Sequence, residues 1–305
     1  MASGTMLGPH PMMMASGAEQ EVPVPTMWTQ RPMVFGTSNI FSIAYGNGLW
    51  VVCGSGGTLA SSTDGTSWTL QVSGVGTSVL YTVKYIGVRW VATTADGKLT
   101  TSFDAVNWTS QTIGVFAGGA IWDITYVDGL WVIVGASGVL ATSTDLINWT
   151  PHNAGFGTDF IQNIIYHDGS WLAVGRGGKA AISTDTINWT QISVGFNGDI
   201  IYCAAYYDGL WAISGDNGQI ATSTDLTNWT YRDSGFGPNA VRYITRHGGV
   251  WVAVGAGACL STSLDGITWT PRTSSFETTI LTCVRYVKGL WLAVGQFGKL
   301  ASSTG

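Results

Sequence analysis

Six aspartates recur at one spacing. Asp64, Asp104, Asp145, Asp185, Asp225 and Asp265 are 40 or 41 residues apart, each with a Ser two residues before it and a Trp four residues after it. A short carboxylate in such a setting has two uses, as a ligand or acid in a reacting site, or as an acceptor for turn N–H groups that no strand partner reaches. The turn use is the one expected here.

The other candidates for chemistry are sparse. The glutamates are Glu19, Glu21 and Glu277, two of them near the N-terminus. His10, His152, His167 and His247 are scattered and form no metal-ligand pair at helical or hairpin spacing. Cys53, Cys203, Cys259 and Cys283 fall in different repeats without a CxxC pair, so they are expected to be reduced apolar fillers. The segment "GRGGKAAIS" (175–183) has the wrong spacing for a phosphate loop and no following helix. No Ser-His-Asp arrangement is suggested by spacing. The sequence therefore points to no cofactor, no metal and no catalytic set.

Composition narrows the partners. Charged residues make up only 10% of the 305, and the net charge is −5. Nucleic-acid binding draws on clustered Lys and Arg, so a nucleic-acid partner is not expected. No run of 18 apolar residues is present, so no membrane span is expected, and the first 25 residues lack the pattern of a signal peptide.

The elements that must position these residues are announced by tryptophan. Trp50, Trp90, Trp131, Trp171, Trp211, Trp251 and Trp291 form one series at a period of 40. Trp28, Trp68, Trp108, Trp149, Trp189, Trp229 and Trp269 form a second, and only Trp122 stands outside both. Each period reads as four short strands, such as "IFSIAY", "LWVVCG", "TLASST" and "SWTLQV", with a tight turn between the first two that is Asn-Gly or Asp-Gly at Asn47-Gly48, Asp128-Gly129, Asp168-Gly169 and Asp208-Gly209. A four-stranded unit repeated seven times at this length predicts an all-β fold, a seven-bladed β-propeller of four-stranded blades. The last copy stops at Gly305, where the Asp would stand. Trp28 holds the register of its missing fourth strand, so residues 26–33 are expected to complete the last blade and close the ring. Residues 24–305 then form the propeller, and residues 1–23 an extended arm.

The turns "SSTDGTSWT" (61–69), "TSTDLINWT" (142–150) and "TSLDGITWT" (262–270), with their three equivalents, resemble the Asp-box or bacterial neuraminidase repeat. The resemblance covers residues 24–305. The spacing here is one residue shorter than the usual pattern, and this form is similar to repeats in phage virion proteins and bacterial surface proteins. The best-known activity in that family is sialidase chemistry, which needs three arginines, a Tyr nucleophile assisted by Glu, and an Asp acid. Arg31 in "RPM" falls in the closing strand and not on an inner one, and glutamate is nearly absent, so sialidase activity is not expected.

Comparison of the seven copies isolates two further features. The loop phenylalanines Phe35, Phe116, Phe156, Phe196, Phe236 and Phe276 share one register and are expected to act as wedges between blades. The residue after the first apolar position of each inner strand varies instead: Phe41, Tyr81, Trp122, Gln162, Tyr202, Arg242 and Thr282. This ring should surround the mouth of the central channel, either as a plug or as a pocket for a glycan or peptide. In the arm, Met6, Leu7, Met12, Met13 and Met14 offer soft apolar contacts to another subunit. Together these features predict a non-catalytic structural or recognition part of a larger assembly, a bacteriophage virion protein attached through the arm. A lectin or adhesin at a bacterial surface is the alternative.

Overall fold

The computed structural model describes residues 22–304. Met6, Leu7, Met12, Met13 and Met14 lie outside the described residues. The first blade shows how each repeat is built. After β1 (Thr29–Arg31) come β2 (Ile40–Gly46), β3 (Leu49–Gly54), β4 (Thr58–Ser62) and β5 (Thr69–Val72), joined in sequence order as one antiparallel sheet. Seven such four-stranded sheets are present, one for each member of the tryptophan series.

Local chemistry explains the hairpin between β2 and β3. Asn47 and Gly48 take φ of 46° and 79°, the left-handed pair that a two-residue turn between twisted strands requires. At the far end of β3, Gly54 meets the carbonyl of Asn39, and a Cβ there would stand 1.9 Å from that oxygen. Glycine is thus required where the second strand closes against the loop that enters the blade.

The ring closes as the tryptophan register predicts. β1 pairs antiparallel with the strand Leu300–Ser303, placing Thr29 opposite Ser302, Gln30 opposite Ala301 and Arg31 opposite Leu300. The Arg31 Nε donates to Ser302 Oγ at 2.7 Å, so this arginine serves the closure. Packing continues upstream of β1. Val22 is buried in the seam between the sixth and seventh blades and its N–H donates to the Gly248 carbonyl at 3.3 Å. The propeller's packing therefore reaches Val22, two residues before the boundary expected from the repeat.

The core lies between blades. Apolar residues of adjacent sheets form seven clusters, each holding one member of the first tryptophan series, at 0 to 9% exposure. In six blades a tyrosine of the inner strand packs on that indole, as Tyr45 does on Trp50 with ring centroids 5.0 Å apart. Arg246 takes the tyrosine's place in the sixth blade, and Tyr207 packs edge-on against Trp251 instead. The six loop phenylalanines are all at or below 5% exposure, as wedges should be.

Candidate functional site: the mouth of the central channel

All seven inner strands carry a register shift between their first and third residues, for example between Ile40 and Ser42 or between Ile121 and Asp123. The skipped second residue is a β-bulge, which releases one side chain from the sheet alternation and re-aims it. Those residues are Phe41, Tyr81, Trp122, Gln162, Tyr202, Arg242 and Thr282, and all seven line one cavity of about 440 Å³. Each is half-buried. The sequence comparison found this ring from its variability, while the bulge that turns it toward the channel left no signal in residue type.

The ring has two unlike arcs. Phe41, Tyr81, Trp122 and Phe160 follow one another with centroid separations of 5.8, 4.1 and 5.7 Å, an unbroken run of aromatic rings. Phe160 was missed by the sequence reading. It stands just before its strand, where the other copies have Asn39, Val79, Ala120, Ile200, Ala240 and Ile280.

The opposite arc is polar. The Arg242 guanidinium sits over the Tyr202 ring at 3.9 Å, and the Tyr202 hydroxyl donates to Asp216 Oδ1 at 2.8 Å. Burial, reinforced by the carboxylate it binds, pushes the Tyr202 phenol up to about 12 against the pull of Arg242. That is the opposite of an activated nucleophile. Thr282 Oγ1 donates to the Ile40 carbonyl at 2.7 Å, so its hydroxyl stitches the last blade to the first. The Gln162 amide, by contrast, makes no hydrogen bond among the described residues and faces the cavity.

Below the mouth the third residue of several inner strands does a different job. Adjacent inner strands diverge and share no ladder, so side chains bridge them. Ser42 exchanges hydrogen bonds with the N–H and carbonyl of Val83, and Asn163 Oδ1 accepts from the Ala204 N–H at 2.9 Å. Asp123 is only 2% exposed and is fully occupied. Lys84 Nζ lies 2.6 Å from Oδ1, which also accepts from the Ile124 N–H, while Oδ2 accepts from Asn163 Nδ2 and the Ile164 N–H. A carboxylate held on every side has no lone pair left for proton transfer. Four copies carry a short polar residue at this position, Ser42, Thr82, Asp123 and Asn163, and the other three carry Cys203, Tyr243 and Cys283, so no single residue type marks it in the sequence.

The six aspartates lie at the turns between third and fourth strands, away from the mouth. In each, one carboxylate oxygen accepts from two backbone N–H groups, two and three residues on, at 2.7 to 2.9 Å. The preceding Ser hydroxyl donates to the same oxygen and accepts from the turn's N–H groups, as Ser143 does with Asp145 and Leu146. At Asn107, Asn148, Asn188 and Asn228 the side-chain amide donates to the second oxygen. These backbone donors hold all six carboxyl groups below the usual range, Asp265 at about 2. The aspartates are turn acceptors, and the structure does not bring them together.

No protein-family profile matches the chain, and no curated protein sequence matches it. Solved structures do. A structure described as YCF48 bound to D1 peptide is similar at a TM-score of 0.75 and 15% identity, over 96% of this chain and 99% of that one. A catalytically inactive virginiamycin B lyase from Staphylococcus aureus with quinupristin is similar at 0.81 and 9% identity, over 90% and 98%. The WD40 propeller domain of Doa1 is similar at 0.71 and 11% identity, over 91% and 96%. At these identities the likeness is one of fold.

Proposed function

We propose that this chain is a non-catalytic recognition propeller that takes a segment of a partner protein into the aromatic mouth of its channel. The observation that carries this reading is the continuous arc of Phe41, Tyr81 and Trp122, turned inward by bulges, and Phe160, which extends it from the loop before its strand, opposed by Gln162 and Arg242. Stacked aromatic faces opposite a few directional polar groups suit a short apolar segment whose amide groups need partners. The similar fold of a structure titled as bound to a peptide supports the class of ligand. The non-catalytic part rests on the occupied Asp123, the neutral Tyr202 phenol and the turn role of the six aspartates.

The assembly in this reading is a bacteriophage particle, with the propeller as a tail, fibre or head appendage held through residues 1–23. The resemblance of the turns to virion repeats, the low charge and the methionine-rich arm support it. A bacterial surface or extracellular location is the alternative. A glycan ligand is the second reading, favoured by the same arc, since aromatic faces also stack on pyranose rings. Peptide and glycan arrays probed with the wild type and with Trp122→Ala distinguish the two. The expected result is binding on the peptide array that Trp122→Ala and Tyr81→Ala abolish. Binding confined to glycans transfers the site to the second reading, and binding that survives both substitutions removes the mouth as the site. Mass spectrometry of purified particles, together with deletion of residues 1–21, which leaves Val22 in its seam, tests the assembly itself.

A further inference from the structure

The channel has a second mouth, on the face of the hairpin turns, where a cavity of about 700 Å³ opens. At this depth the wall is formed by the fifth residue of each inner strand. Five of the seven are Ala44, Thr125, Ile165, Ala205 and Thr245, so the two charged residues, Lys84 and Arg285, stand out.

They are treated differently by their surroundings. Lys84 is neutralised, since its ammonium pairs with Asp123 at 2.6 Å and donates to the Ile124 carbonyl at 2.8 Å. Arg285 is half-buried, and among the described residues no carboxylate pairs with it and no carbonyl accepts from it. Its one fixed interaction is with the face of the Tyr243 ring, 4.9 Å from the guanidinium carbon. The aspartates nearest this mouth are committed elsewhere. Asp208 pairs with Arg246 at 2.7 Å, and Asp168 accepts from the Tyr206 hydroxyl and lies 3.2 Å from His167 Nδ1. Both are at the solvent edge, with side chains 74% and 68% exposed.

A guanidinium that lines a cavity and has no anion beside it among the described residues leaves its charge uncompensated there, and a carboxylate entering the cavity gains a charge-assisted pair. We propose that the second mouth binds a monoanionic carboxylate with an apolar body, its carboxylate on the Arg285 fork and its body against Tyr207 and Tyr243. The planar fork matches a carboxylate in a bidentate pair. A single uncompensated cation suits one negative charge, and Asp168 and Asp208 at the edge disfavour ligands with more. The two cavities meet along the channel at Tyr243, but Arg285 and Tyr207 line only the second, and the proposal does not depend on the ligand of the first.

Benzoate, neutral benzamide and inorganic phosphate are the probes, titrated into the full chain by calorimetry and followed by NMR. Benzoate is expected to bind saturably. Benzamide and the Arg285→Gln variant should each weaken binding at least about tenfold, as loss of a charge-assisted pair does. Shifts on the wild type should map to Tyr207, Tyr243 and Arg285, which keeps the test decisive even if Arg285→Gln does not fold. Equal binding of benzoate and benzamide, phosphate binding more tightly than benzoate, shifts centred on Phe41 to Trp122, or no saturable binding would each overturn the proposal.

Discussion

Closure of the ring by a borrowed strand makes Trp28 a quantitative test. β1 is three residues long and pairs with one neighbour, so its backbone bonds alone are a weak tether. What anchors it is the Trp28 side chain, 8% exposed in the cluster that also holds Phe276, Leu281, Trp291 and Ala301. Truncating a buried tryptophan to alanine costs about 3 to 5 kcal/mol. With an unfolding entropy of roughly 0.6 kcal/mol/K for a chain of this size, Trp28→Ala should lower Tm by about 5 to 8 °C. The Trp28 indole N–H has no hydrogen-bond partner, so Trp28→Phe keeps most of the packing and loses no bond. It should recover more than half of the stability. Differential scanning calorimetry measures both. Loosening β1 also bares the edge of Leu300–Ser303, and size-exclusion chromatography of Trp28→Ala at high concentration should show dimers joined at that edge. A Tm unchanged in Trp28→Ala, or equally lowered in Trp28→Phe, would refute the claim that apolar anchoring of the closing strand holds the ring.

Two further outcomes follow from the turns and the thiols. The six turn carboxyls are held below their unfolded value of about 4, Asp265 at about 2 through the N–H groups of Thr268 and Ile267, so their contribution is present above that unfolded value and is lost as pH falls through the folded one. Denaturation midpoints should therefore hold level from neutral pH down to about 5 and fall below about 4, with a shallower fall in Asp265→Ala; an acid limb that is unaltered in this variant speaks against the turn role. Cys53, Cys203 and Cys283 are buried, and burial pushes the Cys203 thiol up to about 12, whereas Cys259 is half-buried. A disulfide reagent should thus titrate one thiol in the folded protein and four after unfolding, and rapid reaction of a second thiol in the fold would show the channel wall opening.

The fold was legible because its signals repeat. Two tryptophan series of seven members each, with four Asn-Gly or Asp-Gly pairs and a last copy that lacks its fourth strand, point to the blade number, strand order and closure. The channel-mouth ring was legible for the converse reason. Where packing recurs from blade to blade the residue type is largely held, as at the loop phenylalanines present in six of the seven copies, and where a side chain faces open space it drifts from Phe41 to Thr282. Phe160 escaped because only one copy places an aromatic there, so no periodicity marks it. Arg285 and Lys84 share one repeat position, yet their fates depend on Asp123, which sits one blade beyond Lys84 and has no counterpart beyond Arg285. Such a difference is set between neighbouring blades, by residues 39 positions apart in the case of Lys84 and Asp123, and a single strand does not display it.

The bulge explains why the mouth, and not the channel wall below it, is the proposed place of recognition. A propeller needs regular strands to pack its blades, and inward polar side chains that follow the regular alternation are drawn into bridging neighbours, as Ser42, Asp123 and Asn163 are. One extra residue per inner strand breaks the alternation without disturbing the ladder beyond it, since pairing from Ser42 to Gly46 continues in register against Cys53 to Leu49. That residue is relieved of packing duty and can vary in size and polarity at little cost to the ring. Seven bulges thus produce a mouth whose chemistry is free to be set by a ligand while the core beneath it stays fixed. The occupied hydroxyl of Thr282, at the seam where the chain ends meet, marks the one position where closure has reclaimed that freedom.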